Sequence, residues 1–197
     1  MSKRKKLIIF LFIIIIVITI VVLYKTINTK IFENKEIIKE EAEVLKLIDG
    51  KIYIEVYMNP SISENDKSVE KLKKELEEKE YLYEIEFISK QEALNTMKDL
   101  FDNNGLLDTY EGDNNIFPNS YKALIKINDF SQFNNDYFTK INKELEALEN
   151  VHKVKNVGFI YESVYRKEGF KGLKDFMKLT ETNNNSEKIL NDTNNKK

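Results

Sequence analysis

Residues 7–24 form an unbroken apolar run of Ile, Leu, Val and Phe, in which Thr19 and Tyr24 are the only hydroxyls and no charge, Gly or Pro intervenes. Eighteen residues at ~1.5 Å each reach ~27 Å, close to the ~30 Å hydrocarbon core of a bilayer. A soluble helix of this length carries a polar face, and this run has none. The sequence therefore predicts one transmembrane helix over 7–24. Lys3, Arg4, Lys5 and Lys6 precede it, whereas Lys25 and Lys30 beyond it are diluted by Glu33, Glu36, Glu40, Glu41 and Glu43. That asymmetry predicts a cytoplasmic basic tail over 1–6 and an extracellular remainder, held at the cell membrane by a single pass. The run exceeds the apolar core of a cleaved signal, and only bulky residues follow at 21–25, so it reads as an uncleaved anchor with membrane lipid as its first partner.

Beyond the anchor, residues 25–49 carry Ile31, Ile38, Leu45 and Ile48 at helical spacing, with Glu36 and Lys39, and Glu43 and Lys46, as supporting charge pairs. This predicts a helical stalk; a short homodimeric coiled coil is the alternative, although fewer than three heptads are visible. Asp49-Gly50 marks a turn. Residues 51–58 alternate, with Ile52, Ile54, Val56 and Met58 on one face, as a half-buried strand does. A helix is expected over 64–79, opened by Ser63 and Asp66, with Val69, Leu72 and Leu76 inward. The next strand, 81–88, places Tyr81, Tyr83, Ile85 and Phe87 on one face and Leu82, Glu84, Glu86 and Ile88 on the other. Ser89-Lys90-Gln91-Glu92 is a capping box that opens a helix over 90–102. A loop follows, rich in Asn, Asp and Gly. A third strand covers 120–128, a helix 130–149 is capped by Asn128 and Asp129, and a fourth strand covers 151–161. The order predicts an α+β fold: a ferredoxin-like split βαβ ectodomain over 50–162, with a small helical lobe inserted at 90–118 and one transmembrane helix before it. Residues 163–179 read as an amphipathic basic helix, lying on a membrane surface or packed as a last helix. Residues 180–197 are Asn-rich and read as a disordered tail.

Chemistry is sparse. Net charge is −2, from 31 basic and 33 acidic residues that are well mixed, so no nucleic-acid partner is expected. The absence of Cys excludes disulfides and thiolate-bound metal. The single His, His152, has no evident nucleophile or ligand partner, and the six Gly are scattered rather than gathered in a phosphate loop. Glu55, Glu84 and Glu86 alternate with apolar residues as solvent-facing strand positions do. The chain is read as non-enzymatic, with no cofactor and no metal.

Three motifs carry a family resemblance. Phe87-Ile88-Ser89-Lys90-Gln91-Glu92-Ala93-Leu94 is similar to a strand ending in Val-Ser-Lys-Glu-Glu-Ala-Leu. Asn115-Ile116-Phe117-Pro118-Asn119-Ser120 is similar to Asn-Pro-Leu-Pro-x-Ser, with Ile116 in place of the first Pro. Val151-His152-Lys153-Val154 stands where a Pro-Gly-Val-x-x-Val approach is usual. In order and spacing these resemble the extracellular domain of the bacterial cell-division protein FtsX, over residues 51–161. Members of that family have four membrane helices and couple to a cytoplasmic ATPase, FtsE. No apolar run after 24 exceeds a few residues here, so the resemblance implies the domain without the motor, as a stand-alone relative or a truncation.

The resemblance also implies a partner. In the family the lobe after the second strand captures the coiled-coil part of a peptidoglycan hydrolase or its activator. The lobe here holds Met97, Leu100, Phe101, Leu106, Leu107, Tyr110, Ile116 and Phe117, many large apolar groups for an insertion outside the sheet. Some must pack on each other, and the rest offer an adaptable apolar surface for an amphipathic helix. These eight are the candidate partner-binding residues. The competing reading is an accessory or substrate-handling module of an ABC-transporter-like assembly.

Overall fold

The computed structural model describes residues 3–101 and 105–194; side chains are described from Ile18 to Thr182, except those of 101–104, Leu106 and Asp113. It divides into two compact units, Met1–Glu43 and Val44–Lys197. The first is the helix α1 (Lys3–Ile48), whose closing turns belong to the second unit. Within the first unit Ile18, Ile20, Val21, Val22 and Leu23 are 50–59% exposed. The run read as an anchor falls mostly on side chains outside the described part. Among the described residues no helix is long and apolar enough to cross a membrane.

The second unit contains a four-stranded sheet of β1 (Tyr53–Met58), β2 (Leu82–Ile88), β3 (Ser120–Ile125) and β4 (Val151–Asn156). The strand order is β2-β3-β1-β4 and every pairing is antiparallel. Each helical crossover therefore skips one strand: β3 separates β1 from β2, and β1 separates β3 from β4. This is the split βαβ order expected from the sequence.

The alternation in β1 is realised, with Ile54, Val56 and Met58 buried. They meet α2 (Lys67–Glu77) through Val69, Leu72 and Leu76, and α4 (Asn135–Glu146) through Phe138, Ile141 and Leu145. Full burial of each such side chain stabilises by roughly 1.5–3 kcal/mol. Asp66 caps α2 by accepting from the Ser68 N–H at 2.8 Å, so the helix starts three residues later than expected. Tyr121 in β3 is 1% exposed, and its hydroxyl donates to the Val69 carbonyl at 3.0 Å. Burial pushes that phenol up to about 12.

Three expectations are corrected. In β2 the register slips between Tyr83 and Glu86, with Glu84 at φ 50°. This bulge sets Leu82 opposite Ile125 and Phe87 opposite Tyr121, so Leu82 joins Phe87 on the core face and Tyr83 turns away. The helix expected over 130–149 begins as a separate 3₁₀ turn, Phe130–Gln132, closed by a capping box between Asp129 and Gln132; Asn134 then caps α4. Finally, β4 stops at Asn156. The Asn156 side chain accepts from the Gly158 N–H at 2.8 Å, and α5 (Gly158–Asn194) starts there. A Cβ at Gly158 would sit 2.6 Å from the Phe138 ring, so this tight start needs glycine.

The α5 backbone breaks at Gly169 (φ 68°, ψ −168°), a conformation open essentially to glycine alone. The segment before the break packs Phe159 edge-on against Phe138, and Tyr165 edge-on against Phe130 and tilted against Phe133. The segment after it buries Leu173 and Met177 in the core together with Val44 and Ile48. Residues 163–179 therefore pack on the domain. The helix continues through the Asn-rich stretch to Asn194, where composition suggested disorder.

Candidate functional site: the inserted lobe

The lobe consists of α3 (Lys90–Phe101) and two 3₁₀ turns, Leu106–Tyr110 and Gly112–Asn114. The Ser89 hydroxyl accepts from the Glu92 N–H at 3.1 Å, as the capping pattern predicts. Gly105 turns the chain after α3 at φ 71°. Leu94 is fully buried without belonging to the sheet core, so the lobe has its own small centre. In the same lobe Met97, Leu107, Tyr110 and Phe117 are half-buried.

An ionic clamp holds the lobe closed. Lys98 donates to Asp108 at 2.6 Å and to Glu111 at 2.5 Å, tying α3 to the first 3₁₀ turn and its end. The Asp108 hydrogen bond, then that of Glu111, raises the Lys98 pKa.

Two asparagines fasten the lobe to the sheet. Asn119 is 0% exposed. Its Oδ1 accepts from the Lys90 N–H at 3.0 Å, where the lobe begins, and its Nδ2 donates to the Ile62 carbonyl at 3.1 Å. Its own carbonyl accepts from the Met58 N–H at 2.9 Å. Asn115 closes the exit: its Nδ2 donates to the Lys90 carbonyl and its Oδ1 accepts from the Phe117 N–H, both at 2.9 Å. Lys90 also donates from its ammonium to the Pro60 carbonyl. Entry, exit and the loop after β1 thus meet at one buried amide.

Of the eight candidate residues, Leu100 (40% exposed) and Ile116 (63%) present apolar surface to solvent. Met97, Leu107, Tyr110 and Phe117 are half-buried within the lobe. The side chains of Phe101 and Leu106 lie outside the described residues. Asn115, Asn119 and Lys98 were not singled out from the sequence, although Asn115 and Asn119 both lie within a quoted motif. The lobe thus leaves two large apolar side chains, Leu100 and Ile116, uncovered. Among the described residues no group of three or more His, Cys, Asp or Glu is placed to hold a metal ion. A separate cleft of about 420 Å³ lies beside β1 and α5, lined by Tyr53, Tyr161, Phe176 and Met177 with the paired Lys51 and Glu181. None of the candidate residues lines it.

Comparison with curated proteins gives no match. Among solved structures, the chain is similar to the crystal structure of Extracellular Domain 1 of FtsX from S. pneumonie in complex with undecyl-maltoside. That similarity has a TM-score of 0.42 and 17% sequence identity, and covers 54% of this chain and 94% of that one. The model of the FtsX extracellular domain matches residues 51–166. That span takes in the whole sheet, the lobe and the start of α5, more than half of the chain, and the chain therefore belongs to the FtsX extracellular domain family, a domain of a cell-division protein.

Proposed function

We propose that this chain is a non-enzymatic, membrane-anchored capture domain that engages the coiled-coil segment of a peptidoglycan hydrolase or its activator through the lobe 90–118. The observation that carries the reading is the pair of exposed apolar side chains, Leu100 and Ile116, on a lobe whose entry and exit are locked by Asn119 and Asn115. An apolar patch on a fixed mount suits one face of an amphipathic helix, and the half-buried Met97 and Tyr110 can repack to fit it. The anchor in this reading is 7–24, supported by the uncovered apolar side chains from Ile18 to Leu23 and by the basic tail, which places the domain outside the cell.

The test is crosslinking capture from intact cells with the full chain and with a Leu100→Glu, Ile116→Glu variant. Both positions are exposed, so the variant is expected to stay folded and to lose the wall hydrolase or activator recovered by the unchanged chain. Equal recovery by both overturns the assignment of the lobe. Recovery of integral transporter subunits in place of a wall protein favours the transporter-module reading.

A further inference from the structure

The sheet has a second face, opposite the helices, where strand register sets side chains in three rungs. The central rung runs Glu86, Lys122, Glu55, Lys155 across β2, β3, β1 and β4, because Glu86 pairs with Lys122, Lys122 with Glu55, and Glu55 with Lys155. Directly opposed residues of antiparallel strands point to the same side, so charge alternates in sign across the full width of the sheet. One flanking rung is Tyr83, Leu124, Tyr53, and the other is Ile88, Ser120, Tyr57, Lys153. Apart from Ser120, these side chains are exposed or half-buried, and Tyr53 also lines the cleft beside α5.

The rung is held in shape from within. The Tyr57 hydroxyl donates to Glu55, and the Lys155 ammonium lies 3.6 Å from the same carboxylate. Lys122 rests on the Tyr53 ring, 4.6 Å from its centroid. Glu86, at the β2 edge, has no ion partner among the described residues.

An alternating four-charge rung is its own complement under a two-fold rotation about the strand direction. Such a rotation brings β2 of one copy over β4 of the other, and β3 over β1. Glu86 then faces Lys155 of the second copy and Lys122 faces its Glu55, while Leu124 covers Tyr53 and Ser120 covers Tyr57. Aligned sheets pack about 10 Å apart at about −30°, which keeps the central rungs in register. The tyrosines of the flanking rungs are of a residue type enriched at interfaces, and the charged central rung contributes register and selectivity rather than apolar area. We infer that this face pairs with the same face of a second copy of the chain, with Glu86 and Lys155 as the outer complementary contacts. The surface and partner differ from those of the lobe, and the inference does not depend on what the lobe binds.

Four strands about 4.8 Å apart give a face of a few hundred Å², below the roughly 800 Å² per partner of a stable interface. Association is therefore weak, and covalent trapping is the suitable readout. The chain has no cysteine. Two tagged full-length chains, one with Lys122→Cys and one with Glu55→Cys, are co-expressed and treated with a short bis-maleimide. The mixed cross-link is expected with the outer charges intact. Adding Lys155→Glu to both chains is expected to lower its yield about tenfold or more, because like charges then face each other at both ends. Placing Lys155→Glu on one chain and Glu86→Lys on the other is expected to restore it, which also excludes a folding defect as the cause of the loss. Absence of the cross-link with native outer charges, a yield indifferent to them, or failure of the swapped pair to restore it each overturns the pairing.

Discussion

Asn119 is the point at which the lobe can be uncoupled from the sheet. Replacing it with Ala removes the Oδ1 that accepts from the Lys90 N–H at 3.0 Å and the Nδ2 that donates to the Ile62 carbonyl at 3.1 Å. The backbone bond from the Met58 N–H to the Asn119 carbonyl remains. Each lost hydrogen bond is worth about 1 kcal/mol net, and a partner left dry and unpaired adds about 1–3 kcal/mol. Asn119 is 0% exposed, so water reaches these partners only if the lobe moves. The expected loss is about 2–4 kcal/mol, a large part of the 5–15 kcal/mol that holds a domain of this size. The assay is urea unfolding followed by tyrosine fluorescence, with amide exchange resolved by segment. Amides across 90–118 should exchange faster by local opening before those of β1 and β3 do. A loss below about 0.5 kcal/mol, or exchange that rises in the sheet and not in the lobe, refutes the view of Asn119 as the joint.

Three further outcomes are expected. Gly158→Ala forces a Cβ to 2.6 Å from the Phe138 ring and should cost about 1–3 kcal/mol by overpacking, read in the same urea titration. Glu144 accepts from Lys79 at 2.7 Å, and that hydrogen bond lowers its pKa; a lowered carboxyl stabilises the fold above its unfolded pKa and loses that contribution as pH falls through the folded value. Because the pair is partly exposed, Glu144→Gln should cost only about 0.5 kcal/mol at pH 7, and the difference from the unchanged chain should begin to shrink below the free-Glu pKa of about 4.3 and vanish once pH is below the lowered folded value, as unfolding midpoints across pH will reveal. Lys98→Met cuts both arms of the clamp to Asp108 and Glu111, so amides of the 3₁₀ turns should exchange faster with the sheet unaffected, and equal exchange in the two proteins speaks against the clamp.

Much of the sheet was legible because burial imposes a period. The alternation of Ile54, Val56 and Met58 and the stripes of Val69, Leu72 and Leu76 and of Phe138, Ile141 and Leu145 can be satisfied only by a sheet with helices on one face. The β2 bulge was not legible: Tyr83, Glu84, Ile85 and Glu86 continue the alternation unbroken, and the slip is set by pairing with β3, which no local pattern records. The end of β4 was hidden for a similar reason. Val157, Phe159, Ile160 and Tyr161 read as further strand, whereas the turn is made by the Asn156 amide and the bare Cα of Gly158 against Phe138. In the lobe, apolar content pointed to Leu100 and Ile116. Asn115 and Asn119 stayed unmarked because asparagine is common throughout this chain, and nothing in composition separates a buried joint from a solvated loop.

The break at Gly169 makes the folded unit longer than the stretch that the family model matches. A straight helix as long as α5 would extend about 55 Å and carry Leu173 and Met177 clear of the sheet. Turned at Gly169, it returns both to the core at 0% and 2% exposure, beside Val44 and Ile48 from the end of α1. All four lie outside the matched span 51–166. A fragment cut to that span would expose the apolar sites they fill and would report on a damaged core rather than on the domain. The core of this unit runs from Val44 to Met177, and the homologous module sits inside it like a text inside its binding.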